Sequence, residues 1–90
     1  MKERNIAYDN SFHKKLKKVI KNNKELQNKL FEILELMKNN IFDSKLMTHK
    51  LSGELKKCYA CKVTFDLRLV FYFDDNNIYL IDIGNHDEVY

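Results

Sequence analysis

Apolar residues recur at helical spacing through the first forty positions and in alternation after residue 58, which splits the chain into a helical half and a strand half. Asn5-Ile6-Ala7-Tyr8-Asp9 opens with a short polar–apolar alternation, enough for an edge strand or an extended arm. Asp9, Asn10 and Ser11 then offer oxygens for a helix N-cap. Phe12, Leu16, Val19 and Ile20 follow at helical spacing with lysines between them, which predicts a first helix from Phe12 to about Ile20, fading at Asn22-Asn23. Leu26, Leu30, Ile33, Leu34 and Met37 form a second apolar stripe, ended by Asn39-Asn40. Two one-sided helices joined at an Asn-Asn corner read as an antiparallel hairpin that must bury its stripes against something else.

The C-terminal half supplies that surface. After a polar connection over 41–53, three strands are predicted at Tyr59 to Phe65, Leu67 to Phe73 and Ile78 to Ile83. Asp74-Asp75-Asn76-Asn77 is a turn by composition, and Phe65-Asp66 predicts another. Short turns imply antiparallel pairing, and the order β-α-α-β-β-β implies a two-layer α+β domain, a helical hairpin on an antiparallel sheet. Period-two counting puts Tyr59, Cys61, Val63, Phe65, Leu67, Leu69, Phe71, Phe73, Tyr79, Ile81 and Ile83 on the face that meets the helices. It leaves Ala60, Lys62, Thr64, Arg68, Val70, Tyr72, Ile78, Leu80 and Asp82 on an open, mixed face.

Ninety residues make one domain, 1–90, and 44% apolar content is enough for a core without metal or disulfide staples. The charge is uneven. Residues 1–50 carry twelve lysines and arginines against six acids, and residues 51–90 carry four against seven. A basic first half suits a polyanionic partner, nucleic acid most simply, although a lysine-rich solvated helix face has the same composition. No apolar segment follows Met1-Lys2-Glu3-Arg4-Asn5 and no run approaches a membrane span, so the cytoplasm is the expected compartment and no membrane is an expected partner.

Cys58-Tyr59-Ala60-Cys61 spells C-x-x-C without a second pair or a histidine at ligand spacing. On a strand the two thiols face opposite ways, roughly 10 Å apart, so Cys61 reads as a core thiol and no metal or other cofactor is expected. His13 lies among lysines, His49 in the polar connection, and His86 after Gly84-Asn85. No phosphate loop or nucleophile elbow is present. One chemistry still suits so small a chain: RNA carries its own nucleophile, the 2′-OH, and its cleavage needs a base, an acid and a cation at the phosphate. Lys62, Arg68, His49, His86, Asp66 and Tyr90 supply those residue types.

His49-Lys50-Leu51-Ser52-Gly53-Glu54-Leu55, then Tyr59-Ala60-Cys61-Lys62-Val63, then Asp66-Leu67-Arg68-Leu69-Val70-Phe71-Tyr72 resemble the RelE/ParE superfamily of toxin–antitoxin toxins. The ending Ile83-Gly84-Asn85-His86-Asp87-Glu88-Val89-Tyr90 narrows the resemblance to the YafQ-like branch. It implies a ribosome-dependent mRNA endoribonuclease held inactive by a cognate, small and acidic antitoxin. It also implies catalytic roles for His86 as the acid and for His49 or Asp66 as the base or its orienter. Tyr90 would stack on a substrate base. Lys14, Lys17, Lys18 and Lys21 are the expected ribosome contacts.

Two positions depart from that pattern. Lys62 stands where the family carries a second histidine, and Asp82 where it carries an arginine. Lys62 and Arg68 share the open face with Asp82, so either can stand at the phosphate in place of the missing cation, with Asp82 orienting it. Two rival functions fit the same fold: a ParE-like topoisomerase poison that cuts no RNA, and a catalytically degenerate antitoxin-binding module. The His49, Asp66, His86 and Tyr90 set argues against the first, and Asp82 supports the second.

Overall fold

The structure, a computed structural model, describes residues 3–53 and 57–85. β1 (Asn5–Tyr8) leads into α1 (Asn10–Ile20) and α2 (Lys24–Asn39), followed by β2 (His49–Lys50), β3 (Tyr59–Lys62), β4 (Leu67–Phe73) and β5 (Asn77–Asn85). The helices begin where capping chemistry starts them. Asp9 accepts from the Phe12 amide at 2.8 Å and Asn23 from the Leu26 amide at 3.0 Å. Asn22, at φ 57°, takes the left-handed conformation between them, which Asn tolerates better than most residues. Both helices lie on one face of a five-stranded sheet of order β1-β5-β4-β3-β2.

The two-layer α+β architecture is the expected one, with three differences. The sheet is mixed, because β1 runs parallel to β5 while the other pairings are antiparallel. After the helical hairpin the chain enters the sheet at its far edge as β2, and three antiparallel steps bring β5 back beside β1 in the same direction. The connection over 41–53 is not merely polar: Ile41 and Leu46 are buried, a short 3-10 turn spans Ser44–Leu46, and β2 adds an edge strand. The first predicted strand stops at Lys62, and Val63 to Asp66 form the turn into β4. Phe65, expected on the core face, is 88% exposed there.

The core joins Phe12, Leu30, Ile33 and Met37 of the helices to Cys61, Val63, Leu69, Phe71, Ile78, Leu80 and Ile83 of the sheet. Tyr79 and Ile81 are not in it, and Ile78 and Leu80 are, which reverses four of the six expected β5 assignments. The cause is a β-bulge. Phe71 pairs with Leu80 and Val70 with Asp82, so Ile81 is an extra residue that shifts the alternation. A regular strand has to choose between facing Asp82 into the core with Ile78 and Leu80, or exposing both aliphatics. The bulge buries Ile78, Leu80 and Ile83 together at the expense of exposing Ile81. Each fully buried aliphatic contributes about 1.5–3 kcal/mol.

Burial pushes the Cys61 thiol up to about 12, against a weaker opposing pull from Arg68, so Cys61 behaves as a core thiol in contact with Met37. Asp74 sets the β4–β5 turn. Its Oδ1 accepts from the amides of Asn76 at 2.9 Å and Asn77 at 2.8 Å, and its Oδ2 accepts from the Tyr79 hydroxyl at 3.0 Å. Those bonds, the two amides foremost, hold the Asp74 carboxyl below its ordinary value of 3.8. The stabilisation is therefore complete at neutral pH and is lost as pH falls through the lowered folded value. Asp74→Asn should lower the melting temperature near pH 7, and the gap from wild type should close in acid, as pH falls below the ordinary carboxylate value and the Asp74 side chain is protonated. A gap that persists unchanged in acid would mean that the charge of Asp74 plays no part.

Candidate active site on the open face of the sheet

Register places the candidate residues on the face turned away from the helices. His49 pairs with Ala60, Ala60 with Val70, and Val70 with Asp82, so these four form one transverse row. Lys62 pairs with Arg68 and Arg68 with Gly84, forming the next row on the same face. Ala60 and Val70 are buried yet stand outside the main core cluster, and they give the face an apolar floor. Gly84 adds no side chain beside Arg68.

The Lys62–Arg68 pair is electrostatically unfavourable in isolation. Like charges directly opposite across a strand pair are destabilising. Arg68 is bent toward the β3–β4 turn, where its Nη1 donates to the carbonyls of Thr64 and Phe65, both at 3.0 Å. This ties the turn together and keeps a guanidinium beside Lys62. A pair of opposed cations on one face is a natural seat for an anion.

His49 is exposed on the edge strand. The carbonyl of Met47, a residue in the left-handed conformation at φ 50°, faces its Nδ1 at 3.2 Å. A carbonyl only accepts, so this contact assigns the proton to Nδ1 and makes Nε2 the basic nitrogen of the neutral ring. The orienter of His49 is thus the Met47 backbone, which no side-chain pattern marks. Asp66 sits further along β3, in the turn, where its Oδ1 accepts from the Thr64 hydroxyl at 3.2 Å. His49 and the Lys62–Arg68 pair share the open face, while Asp66, in the turn, lines a pocket with Glu25, Lys29 and Glu32 of α2. His86 and Tyr90 lie outside the described residues.

Asp82 has its own cation. Lys15 of α1 reaches Asp82 Oδ1 at 2.7 Å, and the Ile83 amide donates to the same oxygen at 2.9 Å. Asp82 is therefore held by α1 and the bulge, not set to orient Lys62 or Arg68 as expected. Lys14, Lys17, Lys18 and Lys21 are exposed and recur at intervals of three and four, which makes a single basic stripe on α1 and at its C-cap. Among the described residues no cluster of His, Cys, Asp and Glu is arranged to hold a metal, and no helix is long and apolar enough to cross a membrane. Both cysteines are free thiols.

Comparison with known proteins gives this geometry a family. No match is found among curated protein sequences. The fold is shared with YafQ from Escherichia coli, at 24% identity over 98% of this chain and 99% of that one, with a TM-score of 0.81. The E. coli DinJ–YafQ toxin–antitoxin complex matches at 26% identity over 98% of each chain, TM-score 0.79. The YoeB dimer from Staphylococcus aureus matches at 25% identity over 93% of this chain and 98% of that one, TM-score 0.78. The model of the bacterial toxin of type II toxin–antitoxin systems, YafQ, matches residues 4–90. With nearly its whole length inside that model and the same five-stranded fold, the chain belongs to the YafQ family of type II toxin–antitoxin toxins.

Proposed function

We propose that this toxin is a ribosome-dependent mRNA endoribonuclease that stops translation in the cytoplasm and is held in check by a cognate antitoxin. The observation that carries the reading is the Lys62–Arg68 cation pair on the same open face as a histidine whose Nδ1 is fixed by a carbonyl. His49 Nε2 takes the proton of a ribose 2′-OH, and the oxygen attacks the adjacent phosphorus. Lys62 and Arg68 stabilise the charge that grows on the phosphoryl oxygens. His86 protonates the departing 5′-oxygen, leaving a 2′,3′-cyclic phosphate and a 5′-hydroxyl. Asp66 acts from the β3–β4 turn that Arg68 ties together, and Tyr90 stacks on a base flanking the cut. The stripe of Lys14, Lys17, Lys18 and Lys21 meets ribosomal RNA by charge. Complexes of YafQ with DinJ support an antitoxin as the partner, and the basic first half suits an acidic one that folds on binding.

A second reading, a catalytically degenerate antitoxin-binding module, draws on Asp82, which stands where the family carries an arginine and is bound to Lys15. Incubation with translating ribosomes and mapping of mRNA 5′ ends separates the two. The wild type should cut, and His49→Ala and His86→Ala should each lower the rate about 10²–10⁴-fold while melting like wild type. Lys62→Ala should also lower the rate, yet leave stability unchanged or raise it by up to about 1 kcal/mol, because it relieves the opposed charges. A Lys62→Ala variant that melts early and cuts normally would make the pair structural. No cleavage by the wild type would favour the degenerate module, and topoisomerase inhibition without cleavage a ParE-like target.

A further inference from the structure

Tyr79 helps to hold the β4–β5 turn through Asp74, while Tyr72 has no role described so far. They pair directly across β4 and β5 on the open face, with ring centroids 4.7 Å apart and planes 20° from parallel. Tyr79 is fixed from its far end, since its hydroxyl donates to Asp74, whose other oxygen accepts from two turn amides. Tyr72 lies against that fixed ring and stays 41% exposed, next to a Phe71 with no exposure at all. Beside the pair runs a groove of about 340 Å³, lined in part by Ala7, Tyr8, Tyr72, Tyr79 and Ile81. Ile81 opens onto this groove because it is the bulged residue.

We propose that the Tyr72–Tyr79 pair is a base-stacking platform that holds a nucleobase of the same RNA strand whose phosphate sits at Lys62 and Arg68. This rests on the endoribonuclease reading and adds a substrate subsite to it. Alternation along β4 places Arg68, Val70 and Tyr72 on one face, so the platform and the cation pair belong to one continuous surface. Four residues at ~3.3 Å separate them by about 13 Å, the reach of a short single-stranded segment lying along β4. The row between them holds the apolar Ala60 and Val70 with Asp82 at its β5 end, and that carboxylate is paired with Lys15. Sheet-face aromatics beside cations hold single-stranded RNA by stacking, which tolerates any base. The Asp74 carboxylate near the platform is already saturated by three donors, and the base it would meet is neutral.

The test is fluorescence anisotropy with a labelled single-stranded oligonucleotide, 2′-O-methylated throughout so that it is not cut. Tyr72→Ala should weaken binding roughly tenfold, and Tyr72→Phe should stay within about twofold of wild type, because stacking needs the ring and not the hydroxyl. Tyr72→Ala should still co-purify with the antitoxin and melt cooperatively. Unchanged oligonucleotide affinity in Tyr72→Ala overturns the platform; if the wild type cuts mRNA on ribosomes, the endoribonuclease reading survives that result. Loss of antitoxin binding with RNA affinity intact also overturns it and makes this face a protein-docking surface. A wild type that neither binds the oligonucleotide nor cuts mRNA overturns the platform and the endoribonuclease reading together.

Discussion

The antiparallel pairing of β4 with β5, and the extra residue at Ile81 within it, set the phase of the whole sheet. Ahead of the bulge, Ile78 and Leu80 meet the helices; beyond it, Ile83 does. The same shift turns Asp82 to the open-face row and puts it within reach of Lys15, and it sets Tyr79 beside Tyr72. Without the extra residue, the strand either forces a carboxylate toward the core or exposes two aliphatics. The first leaves a buried charge, which folded proteins avoid unless it is paired. One inserted residue thus yields both a dry core and a polar working face from a nine-residue strand.

The two faces follow different rules. The helix-facing side is packed by size and apolarity, from Phe71 and Leu69 to Met37 and Ile33. The open side accepts one arrangement that stability alone disfavours, Lys62 opposite Arg68, beside a stacked tyrosine pair that strengthens the β4–β5 ladder. Arg68 serves both sides of the balance: its guanidinium ties the β3–β4 turn together and keeps positive charge where a phosphate would sit. The lysines of α1 divide similarly. Lys15 is drawn to Asp82, while Lys14, Lys17, Lys18 and Lys21 remain as an exposed stripe.

Much of this could be read from the chain. Asp9 and Asn23 mark the helix starts by their capping oxygens, and the stripes of Phe12, Leu30, Ile33 and Met37 name the buried helix faces. Period two correctly separates Cys61, Leu69 and Phe71 from Ala60, Val70 and Tyr72. It fails on β5 because a bulge has no residue signature there: Ile81 is as apolar as its neighbours. The 41–53 connection misleads through its polarity, since Ile41 and Leu46 are two apolar residues without periodicity. At the candidate site, residue types single out His49, Lys62 and Arg68, and register then brings them to one face. The Met47 carbonyl that orients His49 is a backbone group in an unusual conformation, and Lys15 meets Asp82 across 67 positions; neither contact leaves a local pattern.

The central chemical claim is that this face cuts RNA with the RNA's own 2′-hydroxyl. Mass spectrometry of the upstream fragment released from translating ribosomes tests it directly, by reading the group left on its 3′ end. A 2′,3′-cyclic phosphate, or the 2′- or 3′-monophosphate it opens to, is the predicted result. A 3′-hydroxyl, with the phosphate carried on the downstream fragment, would mean that water and not the ribose was the nucleophile, and would contradict the roles given to His49, Lys62 and Arg68.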